Sequence, residues 1–201
     1  MLIQALAKTG HDEAAIDMAT QIGVDEVIPW QANRSIAKWK AGRTDRKWRQ
    51  VLDAATEQSR RVWSPELAQC VSSKQVVAIC RRACVHGDLV IVLHQDATMS
   101  WSSVEDEVSR LADRCLADGR PRSINVVVGP EGGISEQEVS DFVGAERGAR
   151  LEHPARIDGG PGGAVAAVEG VGAFRVKPRI SSIRNSMEAD FHHGQQGAAS
   201  I

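Results

Sequence analysis

Tyrosine is absent from the 201 residues, and the aromatic share is only 4%. The core must therefore be built from Val, Ile, Leu and Ala. No run of about 18 apolar residues occurs, which leaves no candidate for a membrane-spanning helix. The opening MLIQALAKTGHDE turns charged too early for the apolar stretch of a secretory signal, so a cytoplasmic location is expected. Four cysteines, Cys70, Cys80, Cys84 and Cys115, make no CxxC pair. Neither a zinc site nor a disulfide framework is indicated; no metal is expected, and the thiols read as buried ones in a reducing compartment. A large net charge is missing too, at −2. What remains, 42% hydrophobic and 25% charged, is the composition of one globular domain with room for a tail.

The small net charge averages over a strong asymmetry. Residues 34–61 hold nine Lys/Arg (34, 38, 40, 43, 46, 47, 49, 60 and 61) against three acids (45, 53 and 57), a window of +6. Trp39 and Trp48 lie inside it and Trp30 and Trp63 flank it. Basic residues mixed with aromatics suit phosphate backbones and unstacked bases. The same pattern also describes a solvated helix face.

Residues 2–6 read as a strand. A helix follows at 11–22, with Ala14, Ala15, Met18, Ala19 and Ile22 at three- and four-residue spacing and Gly23 closing it. Residues 26–29 (EVIP) form a second strand, and strand, helix and strand make a parallel crossover unit. Residues 46–61 read as an amphipathic helix, Trp48, Val51, Leu52 and Ala55 inward and the basic residues outward. Residues 88–93 (DLVIVL) are a nearly continuous apolar run, as in a parallel strand covered on both faces. A helix at 104–116 carries Val104, Val108, Leu111, Ala112, Cys115 and Leu116 on one side, and residues 125–128 (NVVV) are the next buried strand. Ser135 and Glu138 make an S-x-x-E capping box opening a helix with Val139, Phe142 and Val143. The expected fold is α/β, an open and mostly parallel sheet flanked by helices. Beyond about 151 the character changes: residues 159–172 hold six glycines and the last twenty residues show no periodicity, so 152–201 reads as a poorly ordered tail.

The informative constellation is residues 126–135, VVVGPEGGIS, a buried strand opening into a Gly-rich turn and then a capped helix. Ligands of open α/β sheets bind at that end of the strands. Gly129, Gly132 and Gly133 let the backbone lie close against a ligand, and Pro130 stiffens the turn. The turn is neither a Walker loop nor a GxGxxG fingerprint. Glu131 would repel phosphate, which favours a ligand group that is cationic or neutral, such as a sulfonium with its amino acid moiety. A turn of this kind also occurs as a plain connection.

Together with QALAK at 4–8, MATQIGVDEVIP at 18–29, NRS at 33–35, KWR at 47–49 and AATEQSR at 54–60, the segment VGPEGGIS at 128–135 with Glu138 resembles the 16S rRNA uridine-N3 methyltransferases of the SPOUT, or α/β-knot, superfamily. The resemblance covers roughly residues 2–151. It implies a trefoil-knotted methyltransferase fold, an exception to the general absence of knots. It also implies S-adenosylmethionine as cofactor, held by the loop after the strand ending at Leu93, by Gly129, Pro130, Glu131, Gly132, Gly133 and Ile134, and by a third loop near the carboxyl terminus. A homodimer is implied, acting on 16S rRNA of the small ribosomal subunit, with Arg34, Lys47, Arg49, Glu57, Gln58 and Arg60 facing RNA. The expected reaction transfers a methyl group from sulfonium to uridine N3, whose proton the site must help to remove. Neither His11 nor His94 has the context of the base.

Two departures stand out. The family begins with a small β-barrel domain resembling the PUA fold, whereas this sequence starts directly in the knot domain, 1–151. The family also closes its knot with Leu-Arg-x-Glu/Ser-Thr-Ala, which is not readable after Leu151. Residues 153–160 read HPARIDGG instead. Written CAC-CCU-GCG-CGC-AUC-GAC-GGC-GG and read one base later, they give Thr-Leu-Arg-Ala-Ser-Thr-Ala. A frameshift near residue 152 is the expectation this raises, removing the third cofactor loop and the final knot helix and so impairing cofactor binding and activity, with a naturally divergent terminus as the alternative; sequencing codons 150–160 decides. Two further functional readings stand beside the leading one. One is a non-catalytic RNA-binding remnant of the family; the other, a superfamily relative acting on tRNA ribose, is disfavoured by residues 54–60.

Overall fold

A computed structural model describes residues 1–96, residues 99–145 and the backbone of 155–157. Seven strands form one sheet: β1 (Leu2–Ala5), β2 (Glu26–Gln31), β3 (Glu66–Leu67), β4 (Val71–Ser72), β5 (Leu89–Leu93), β6 (Ile124–Val128) and β7 (Ala155–Ile157). Five helices run between them: α1 (His11–Ile22), α2 (Thr44–Gln58), α3 (Ser73–His86), α4 (Trp101–Asp118) and α5 (Glu136–Gly144). The strand order is β3-β2-β1-β6-β5-β7, and β4 pairs with the carboxyl-terminal part of β2. All the pairings are parallel, so the expected α/β class stands.

Both sheet faces are covered, which is why β1, β5 and β6 are apolar without alternation. Leu2, Leu6, Ile91, Leu93 and Val126 meet Ile16 of α1, Trp48 and Leu52 of α2, and Val104 and Val108 of α4. On the other face Ile3, Val90, Val92 and Val127 meet Val76 and Cys80 of α3 and Val139 and Phe142 of α5. Helices α1 and α5, which follow the adjacent strands β1 and β6, thus lie on opposite faces. Their connections also lead in opposite directions, from β1 outward to β2 and from β6 past β5 to β7. The sheet therefore has a topological switch point between β1 and β6, where ligands of open α/β sheets bind.

Several expectations are corrected. Helix α1 has the expected bounds but a different inward face: Asp12, Ile16, Ala19 and Thr20 are buried, while Ala14 and Met18 are exposed. Two polar residues can sit inward because their polar atoms are bonded. Asp12 accepts the Ala7 N–H, and the Thr20 hydroxyl donates to the Ile16 carbonyl. Helix α2 ends at Gln58, and Arg61 turns inward onto the end of α1. Leu116, expected inward on α4, is exposed, because the stripe through Val104, Val108 and Leu111 has rotated past it. The aromatic–basic mixture is largely taken apart as well: Trp30 and Trp48 are wholly buried, Trp30 edge-on to Phe142 and Trp48 edge-on to the half-buried Trp39, while Trp63 alone of the four stays exposed. Strands β3 and β4 and helix α3 were not expected at all. The expected tail contains β7, paired with β5 from Ile91↔Ala155 to Leu93↔Ile157; the rest of 152–201 lies outside the described residues. None of the cysteines is in a disulfide; Cys80 and Cys84 are buried, Cys70 and Cys115 half-buried.

Candidate functional site

The turn after β6 is shaped by its glycines. A Cβ on Gly129 would stand 2.6 Å from Cγ1 of Ile134, which is buried beneath it. Gly133 has φ +71°, a conformation that side chains disfavour, and its N–H closes the turn on the Pro130 carbonyl at 2.8 Å. Leu93 is paired in register with Val128, so the chain after β5 leaves the sheet beside this turn. His94 follows, buried, with Nε2 3.4 Å from the Ile134 carbonyl and Nδ1 accepting the Asp96 N–H at 3.2 Å. Both ring nitrogens are thereby engaged. Leu93 and residues 129–134, expected together from the sequence, do form one wall at the carboxyl end of β5 and β6.

The segment NRS at 33–35 ties three parts of this end together. The Asn33 N–H donates to Glu138 at 2.8 Å, the Arg34 guanidinium to the Gly132 carbonyl at 3.1 Å, and the buried Ser35 hydroxyl to the Leu6 carbonyl at 2.9 Å. Glu138 is buried and also receives Ser73 Oγ at 2.5 Å and, from Ser135, the N–H at 3.1 Å and the hydroxyl at 2.7 Å. The expected capping box is formed. Burial pushes the Glu138 carboxyl up, and the bonds from Ser73, Ser135 and Asn33 more than offset it, leaving it below its ordinary 4.5.

A cleft of about 630 Å³ opens at the carboxyl end of β1, between the β1–α1 loop and the first turns of α2. Lys8, Lys38, Arg43 and Lys47 line it against two carboxylates, Asp12 and Glu13. Glu13 pairs with Lys47 at 2.5 Å. Burial pushes the Asp12 carboxyl up, partly countered by the N–H groups of Ala7 and Glu13. The Lys8 N–H donates to the Glu131 carboxylate, so the rim of the cleft is joined to the Gly-rich turn across the switch point.

The residues expected to face RNA do not share one place. Arg34 sits on the turn and Lys47 at the cleft, with Arg49 exposed nearby. Glu57, Gln58 and Arg60 are exposed at the far end of α2, about 16 Å from Lys47 at 1.5 Å per residue. Sequence reasoning missed Lys8, Asp12 and Glu13 as site groups and the bracing by Glu138 across three segments. The charged stretch KTGHDE, running from the loop after the first strand into the first helix, was the available signal for the first set. Among the described residues, His94, Asp96 and Glu136 are the potential metal-binding set, with ligand atoms within 4.8 Å. No described helix is long and apolar enough to cross a membrane.

A sequence model of the RNA methyltransferase domain matches residues 1–149. The chain is 34% identical over 147 residues to the ribosomal RNA small subunit methyltransferase E of Mycobacterium bovis, and equally to that of Mycobacterium tuberculosis, covering 72% of this chain and 52% of each relative. It thus spans about half the length of these curated relatives. Among solved structures it is similar to a ribosomal RNA small subunit methyltransferase E from Neisseria gonorrhoeae bound to S-adenosyl methionine, with TM-score 0.64 and 19% identity, covering 87% of this chain and 66% of that one. It is also similar to a methyltransferase-like protein of Legionella pneumophila in complex with the same cofactor, with TM-score 0.58 and 22% identity, covering 86% and 63%. These structural likenesses establish the fold.

Proposed function

The chain belongs to the RNA methyltransferase domain family, and on that premise we propose that it is an S-adenosylmethionine-dependent methyltransferase acting on N3 of a uridine in 16S rRNA of the small ribosomal subunit. The observation that carries the proposal is positional. A Gly-rich turn and a basic cleft adjoin across the β1/β6 switch point, so a cofactor and a polyanion have neighbouring seats. Leu93, Gly129, Pro130, Glu131, Gly132, Gly133 and Ile134 would hold the cofactor. They fit it because the turn is bare of Cβ atoms at its glycines and exposes the Glu131 carboxylate, which suits a ligand bearing a sulfonium and an ammonium. When bound, S-adenosylmethionine supplies an electrophilic methyl group.

The chain's own work is to hold the uracil ring in line with that methyl, exclude water and stabilise loss of the N3 proton. Arg34, Lys47 and Arg49 would face RNA beside the cleft, and Glu57, Gln58 and Arg60, at and just past the far end of α2, would meet it farther along. A trefoil-knotted fold, a homodimer and a cytoplasmic location belong to the same reading. The test is transfer of labelled methyl from S-adenosylmethionine to unmethylated small-subunit RNA by the purified chain. Incorporation is expected; salt-sensitive RNA binding without incorporation would overturn the proposal in favour of a non-catalytic RNA-binding remnant.

A further inference from the structure

We propose that the cleft at the carboxyl end of β1 seats the target nucleotide itself, its phosphate against Lys38 and Arg43 and its base toward the carboxylates of Asp12 and Glu13. This inference rests on the RNA methyl-transfer reading and names where its substrate enters. Its volume, about 630 Å³, lies within the range of small-molecule sites, about 300–1,000 Å³. Four cations against two carboxylates make the cleft attractive to a phosphate and unattractive to a sulfonium. The cofactor is thereby directed to the turn beyond Lys8, where Glu131 stands, and the nucleotide to the cleft.

The groups in the cleft are also poised for a ligand. Among the described residues, Lys47 alone of the four cations has a carboxylate within 4.0 Å. Lys8, Lys38 and Arg43 have none. Trp48 lines the cleft while wholly buried, and its indole Nε1–H meets no acceptor. The carboxylates give the cleft a second polarity. Uracil presents an N–H at N3 where cytosine presents a lone pair, so acceptors facing that edge favour uracil and repel cytosine. The half-exposed Glu13, one oxygen of which pairs with Lys47, is such an acceptor at the first turn of α1, with the buried Asp12, held by the N–H groups of Ala7 and Glu13, behind it.

The test is fluorescence anisotropy of labelled oligouridylate with the full chain, over a range of salt. Replacing both exposed cations (Lys38→Gln with Arg43→Gln) is expected to weaken binding about tenfold. It should also flatten the slope of log affinity against log salt by about 1.4, two contacts at about 0.7 each for a single strand. The matching pair on the opposite sheet face, Arg81→Gln with Arg82→Gln on α3, should stay near wild type. Oligocytidylate should bind the wild-type chain about tenfold more weakly than oligouridylate. Unchanged binding in the cleft variant, an equal loss in the α3 variant, or equal affinity for the two oligonucleotides would overturn the inference. If the cleft variant binds normally and still incorporates methyl, the proposed function stands without this cleft. If the wild-type chain neither binds RNA nor incorporates methyl, the proposed function itself has failed.

Discussion

Glu138 accepts hydrogen bonds from four groups on three separate segments: the Asn33 N–H, the Ser73 hydroxyl, and the N–H and hydroxyl of Ser135. Ser73 in turn receives the indole N–H of buried Trp30 at 3.2 Å. Replacing this carboxylate with an amide inverts part of the pattern, because an amide nitrogen cannot accept. Glu138→Gln should therefore cost about 1–3 kcal/mol of stability at neutral pH, measured by urea unfolding. The sign of its pH dependence follows from the lowered carboxyl. Its contribution is complete above the ordinary value of 4.5 and is lost as pH falls through the depressed folded value, so wild type and Glu138→Gln should converge in acid. A gap that persists unchanged at low pH would contradict this. Gly129 makes a second prediction at the same scale. Gly129→Ala forces its new Cβ against Ile134 at 2.6 Å, so the turn must shift; a cost of about 1–3 kcal/mol and weaker cofactor binding by calorimetry are expected.

Helices α1 and α2 are joined at their far ends by Arg61, which donates to the carbonyls of Thr20 at 2.9 Å and Val24 at 2.7 Å. The Thr20 carbonyl also accepts the Gly23 N–H of the helix cap, and the Val24 carbonyl lies just beyond the helix, so one guanidinium fastens the end of α1. Arg61→Ala should destabilise the fold by about 2 kcal/mol, seen as a lowered urea midpoint, while oligonucleotide affinity changes little because the guanidinium is turned away from solvent. A loss of RNA binding at constant stability would return Arg61 to the RNA surface where its place in the basic window put it. The elements differ in how plainly the sequence announces them. Helices α1 and α5 were legible because Gly23 stops one and Ser135 with Glu138 starts the other. Helix α3 was not: SKQVVAICRRACVH spreads apolar residues over most of its circumference and is rich in weak helix formers, so no narrow stripe stands out. The inward face of α1 escaped for the opposite reason, since it contains an aspartate and a threonine whose bonding depends on neighbours that only the fold supplies.

At the scale of the whole molecule, the strand–turn–helix around the Gly-rich turn already placed it at the carboxyl edge of a sheet. The partner across the crevice was not legible, because β1 and β6 are adjacent in space but more than 115 residues apart in the chain. That adjacency sets the switch point, brings Lys8 to Glu131 and turns a basic window into a cleft beside the turn. Of the +6 window, Arg34, Lys38, Arg43 and Lys47 end near the site, whereas Arg60 and Arg61 end far from it. The central claim is that this crevice delivers a methyl group to uridine N3. Its most direct test is mass spectrometry of nucleosides from small-subunit RNA after incubation with the purified chain and S-adenosylmethionine. The account predicts 3-methyluridine at a single uridine; a methyl group on ribose or on another base would contradict it.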